Sequence, residues 1–101
     1  MPIYNKLVRD HIPAIISKNG KQAITRKLTL DEQFTALQQK LVEELDEYRH
    51  ASDNPSALEE LADMLEIMRY LTLLHGADWD QLELLREQKA SERGGFQDGI
   101  F

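Results

Sequence analysis

Apolar residues recur every three or four positions along two long stretches of the chain. Phe34, Leu37, Leu41, Leu45 and Tyr48 carry the first; Met64, Ile67, Leu71 and Leu74 carry the second. That period matches one face of an α-helix. It predicts a helix from Thr29 or Asp31 to about His50, and another from about Ala57 to His75. Between them, Asp53, Asn54 and Pro55 read as a turn, and Ser56 followed by Glu59 resembles a capping box. His75-Gly76 closes the second helix, and Asp78 or Asp80 restarts a third, from about Trp79 to Ser91, with Leu82, Leu85 and Trp79 on its apolar side. Ahead of these, Asp10 is the expected cap of a short helix with Pro13 in its first turn, running through Ala14, Ile15 and Ile16 to a stop at Asn19-Gly20. Lys21 to Leu30 is irregular and reads as an extended connector or a short strand. The expected fold is all-α, with the two long helices antiparallel.

The polar positions interrupt this scheme at one place. Glu43, Glu44 and Glu47 lie near the end of the first long helix, and Glu60 and Asp63 near the start of the second. At about 100° per residue, Glu44 falls beside Leu37, Leu41 and Tyr48, at the edge of the apolar stripe, while Glu47 lies roughly 60° further round. Glu43 is more peripheral. On the second helix Glu59, Glu66, Arg69 and Tyr70 share a polar arc, but Glu60 and Asp63 fall with the apolar set. An unpaired buried carboxylate costs several kcal/mol or protonates, so acids placed in line with a core stripe call for a counter-charge. Two antiparallel helices bring Glu44, Glu47, Glu60 and Asp63 together, and a divalent cation would hold such a cluster ionised.

Composition narrows the class. The chain has 101 residues, 42% hydrophobic and 30% charged, which fits one globular domain, 1–101, that gains from oligomerisation because so short a chain buries little. Its formal charge of −6 argues against gripping a nucleic-acid polymer. There is no cysteine, which excludes disulfides and thiolate ligands. The first residues lack the apolar core of a signal peptide, and no apolar run approaches membrane length, so a cytoplasmic location without membrane association is the expectation.

The pattern Glu43-Glu44-x-x-Glu47, twelve residues, then Glu60-x-x-Asp63, resembles the EExxE…ExxD signature of the all-α nucleoside triphosphate pyrophosphohydrolases, in the MazG-like and phosphoribosyl-ATP pyrophosphohydrolase-like branch. Tyr4-Asn5-Lys6-Leu7-Val8-Arg9-Asp10-His11-Ile12-Pro13, and the closing Glu92-Arg93-Gly94-Gly95-Phe96 with Gly99-Ile100-Phe101, look like the ends of a small subgroup of that family. The resemblance implies an antiparallel helical bundle completed by dimerisation. It also implies that Glu44, Glu47, Glu60 and Asp63 ligate Mg²⁺, with Glu43 as a flanking acid. The implied reaction is hydrolysis of a nucleotide between its α and β phosphates, giving a monophosphate and pyrophosphate. Homodimers or higher homo-oligomers are expected, with the site near the subunit interface.

The residues support that chemistry independently. An all-carboxylate set suits Mg²⁺ or Mn²⁺ better than zinc, because hard cations take oxygen ligands. One acid must orient or deprotonate the attacking water; Glu47 is the first candidate and Glu43 the second. Lys6, Arg9, Lys89 and Arg93 are the candidate cations for a polyphosphate, Arg93 being followed by a glycine pair that lets backbone amides approach an anion. Plainer readings stand beside these. Acids on helices form solvated faces, Lys6 and Arg9 pair with Asp10, Trp79 and Phe96 fill a core or interface, and His75 caps its helix. Two other functions fit the same residues: a catalytically silent helical interaction module whose acids bind a basic partner, and a nucleotide sensor with little turnover.

Overall fold

Four helices in chain order make up the computed structural model, which describes residues 6–101: α1 (Ile12–Lys18), α2 (Leu30–Arg49), α3 (Asn54–Leu74) and α4 (Trp79–Arg93). The described residues form no strand, so 21–29 is the extended connector rather than the strand.

Local signals set the helix ends. Thr29 caps α2 with a full capping box: its hydroxyl accepts from the Glu32 amide at 3.3 Å, and the Glu32 carboxylate accepts from the Thr29 amide at 3.0 Å. Arg26 adds a two-pronged ion pair to Glu32 at 2.8 and 3.2 Å, the leading reason that this carboxyl is held down to about 2. Asp78 and Gln81 build the second capping box, at the start of α4. At α3 the expected cap is displaced. Asp53, not Ser56, is the N-cap; its side chain accepts from the Ser56 amide at 2.8 Å, and Asn54 and Pro55 form the first turn of the helix. Proline suits that position because the first amides of a helix have no partner to lose. α1 differs as well: His11, not Asp10, occupies its N-cap, and no side chain caps it. α4 runs two residues past Ser91, to Arg93.

α2 and α3 pack along their lengths as an antiparallel hairpin. Phe34 near the start of α2 meets His75 just past the end of α3, their rings 5.1 Å apart, which fixes the far end of the pair. α4 touches only α3, and α1 packs against no other helix. The hairpin seam is thin. Ile67 is the one buried apolar residue among those described, accompanied by Glu44 and by Thr72, whose hydroxyl donates to the Met68 carbonyl at 2.7 Å.

α3 carries two neighbouring apolar stripes. Met64, Ile67, Leu71 and Leu74 face α2 and α4, as the helix period predicts, and none of them is exposed. Leu58, Leu61, Leu65 and Met68, at the same spacing about 120° further round, remain 38–65% exposed. The accessible surface of 9084 Å² exceeds the roughly 5,900 Å² expected of a compact 11.7 kDa monomer. Likewise the radius of gyration is 16.9 Å, against about 13 Å for a compact chain of this length.

Candidate functional site

The five acids converge where α2 and α3 cross near the turn that joins them. Their carboxylates form two groups sharing Glu44: Glu43, Glu44 and Glu47 on α2, and Glu44 with Glu60 and Asp63 of α3. Within each group the nearest oxygens lie within 4.8 Å of one another. The local sequence explains the first group, since residues three and four apart on one helix neighbour each other. The antiparallel hairpin supplies the second.

Glu44 is the innermost acid, only 5% exposed. Its Oε1 lies 3.3 Å from the Lys40 ammonium, one turn earlier on α2. Its Oε2, and Glu60 Oε2 across the seam, are both buried without a hydrogen-bond partner. Neighbouring carboxylates with buried oxygens that lack a donor repel one another unless a proton or a cation compensates them. The electrostatics of the pair favour a proton on one of the two acids. Hydrogen bonding to Glu44 is the leading reason that Glu60 is pushed up to about 7, with burial and Glu47 adding to it. For Glu44, burial acts upward, but hydrogen bonds from Glu60, Lys40 and Glu47 together outweigh it and hold the group below the usual range.

Cations surround the rim. Lys6 lies 3.5 Å from Glu43, which Lys40 also approaches at 3.5 Å. Arg9 forks onto α3, one nitrogen 2.6 Å from Asp63 Oδ1 and another 3.7 Å from Glu66 Oε2. Glu47 makes no ion pair with any described residue, and its side chain is exposed.

Of the residues nominated from sequence, Glu43, Glu44, Glu47, Glu60, Asp63, Lys6 and Arg9 come together here. Lys89 and Arg93, on α4, form no ion pair with the described residues; Arg93 ends its helix immediately before Gly94, whose φ of 81° is the left-handed geometry that favours glycine. Arg9 pairs with α3 rather than with Asp10. Tyr4 and Asn5 lie outside the described residues. Sequence reasoning passed over two participants, Lys40 and Glu66. Both had a signal: Lys40 precedes Glu43 and Glu44 by three and four residues, and Glu66 follows Asp63 by three.

The donor set is oxygen throughout, drawn from two rigid helices, with one buried lone pair on each side of the seam. This donor set fits a hard divalent cation, which Glu44, Glu60 and Asp63 could hold together.

No family model matches the chain, and no solved structure matches it. A curated protein from Mycolicibacterium smegmatis, described only as an uncharacterized protein, is 44% identical over 54 residues. The match covers 54% of this chain and 55% of that protein, so the chain spans about half the length of the curated relative it matches.

Proposed function

We propose that this chain is a Mg²⁺-dependent nucleotide pyrophosphohydrolase, cleaving a nucleoside triphosphate or related nucleotide between its α and β phosphates. The observation that carries this reading is the two buried, unpartnered oxygens, Glu44 Oε2 and Glu60 Oε2, inside a five-acid cluster built by two helices. A solvated acidic face does not bury a carboxylate to 5% exposure.

Glu44, Glu60 and Asp63 would hold the divalent ion, which when bound would supply positive charge to offset that of the phosphate oxygens. Glu47 orients the attacking water and accepts its proton. It is the more available acid: Glu43 is engaged by Lys6 and Lys40, whereas Glu47 is exposed and makes no ion pair with the described residues. Lys6 and Arg9 provide positive charge at the rim for the polyphosphate. The exposed stripe Leu58, Leu61, Leu65 and Met68, with the excess accessible surface, supports a homodimer in which two thin hairpins complete one bundle. That same stripe favours a second reading, a helical interaction module without catalysis.

A panel of canonical and modified nucleotides, assayed for pyrophosphate release with Mg²⁺ and with Mn²⁺, separates the two. The enzyme reading expects turnover of at least one nucleotide, abolished by Glu60→Gln or Asp63→Asn with helix content retained. Absence of turnover across the panel, together with absence of divalent-ion binding, would sink it and leave the interaction module. A nucleotide sensor would bind without multiple turnover.

A further inference from the structure

The segment ahead of α1 is attached to the acidic site in an unusual way. α1 packs against no other helix; among the described residues, the ion pairs of Lys6 with Glu43 and of Arg9 with Asp63 and Glu66 tie this part of the chain to the hairpin. Arg9 bridges two carboxylates of different standing. Asp63 belongs to the acidic triad with Glu44 and Glu60; Glu66, one turn further along α3, lies outside it. The guanidinium side chain is 56% exposed, so its pair with Asp63 exchanges at little cost, as solvent-facing ion pairs do. A divalent ion that takes Asp63 as a ligand competes for the same carboxylate with twice the charge, and it repels the guanidinium.

Resting on the metal-site reading above, we propose that Arg9 is an internal counter-cation of this site that exchanges with the divalent ion. Arg9 holds Asp63 until Asp63 ligates the ion. It then keeps its second partner, Glu66, as a pivot and presents its freed nitrogens to the phosphate bound at the same place. The exchange keeps Asp63 compensated throughout. It also releases the phosphate-binding group only once the metal is in position, which makes metal loading a precondition for tight phosphate binding. An arginine that merely supported Asp63 from behind would act in the opposite direction, strengthening metal binding.

Calorimetric titrations of the full chain test this with two probes, MgCl₂ alone and inorganic pyrophosphate at saturating Mg²⁺. Arg9→Gln is expected to bind Mg²⁺ about two- to fivefold more tightly than the wild type at low salt, the range of an exposed ion pair. The difference should shrink at about 0.5 M NaCl, where screening removes it. The same variant is expected to bind pyrophosphate about tenfold more weakly, having lost a charge-assisted hydrogen bond. Equal or weaker Mg²⁺ binding by Arg9→Gln, or unchanged pyrophosphate binding, overturns the exchange while leaving the metal site standing. A wild-type protein that binds no Mg²⁺ overturns both.

Discussion

Leu61 and Leu65 lie 43% and 48% exposed in the middle of the outward stripe of α3, and replacing both by Asp tests whether that stripe is an interface. Full burial of a leucine side chain contributes about 1.5–3 kcal/mol, so hiding the exposed half of each is worth about 0.7–1.5 kcal/mol. In a two-fold symmetric dimer each position occurs twice. The double variant therefore removes about 3–6 kcal/mol of association energy, a loss of about 100- to 10,000-fold in the dimerisation constant. The surface available is ample: the chain exposes about 3,000 Å² more than a compact monomer of its mass, against roughly 800 Å² per partner in a standard interface. Sedimentation velocity over a concentration series should show a wild-type dimer and a monomeric variant. Circular dichroism should show the helices of the variant retained, because neither leucine lies in the α2–α3 seam. A wild-type protein that stays monomeric at about 100 μM, or a variant dissociating at the wild-type concentration, would refute the reasoning.

Thr29→Ala removes the hydroxyl half of the α2 capping box and should cost about 1 kcal/mol, read as a lower midpoint in urea with an unchanged slope. In the presence of EDTA, stability should fall as pH rises from about 4.5 to about 7. Over that window the folded chain keeps the Glu60 proton that the unfolded chain has released, and the folded state loses this advantage as pH approaches the raised value. Thermal melts of Glu60→Gln should lack this component. Glu32 has the opposite sign: its carboxyl is held at about 2 by Arg26, so the stability it adds is present above about 4.5 and lost as pH falls towards 2. Arg26→Ala should raise the pH of acid unfolding, followed by far-UV dichroism.

The helix period carried most of the fold, and it carried the ranking of the acids. Placing Glu44 beside Leu37 and Leu41 is arithmetic on one helix, and the structure buries it alone among the five. The same arithmetic missed the second stripe of α3. A search for one apolar face opposite a polar arc stops once Met64, Ile67, Leu71 and Leu74 are found, although Leu58, Leu61, Leu65 and Met68 repeat at equal spacing. The start of α3 was misplaced because Asn54-Pro55 reads as a turn, whereas proline after a capping Asp equally opens a helix. Lys40 was legible from its spacing but looks like any lysine on an acidic helix. The partners of Arg9 were not legible: Asp63 is 54 residues away, and no local rule selects α3 over the neighbouring Asp10.

The claim that the acids form a divalent-ion site is tested most directly by titrating the protein with Mn²⁺ and following free Mn²⁺ by electron paramagnetic resonance, for the wild type and Glu44→Gln. Glu44 is the ligand shared by both carboxylate groups. Its loss should weaken saturable Mn²⁺ binding by at least about 10- to 100-fold, the range already lost when only an outer partner of a ligand is removed. Added Mg²⁺ should displace Mn²⁺ from the wild type. Saturable binding of equal strength in both proteins, or none in the wild type, would contradict it.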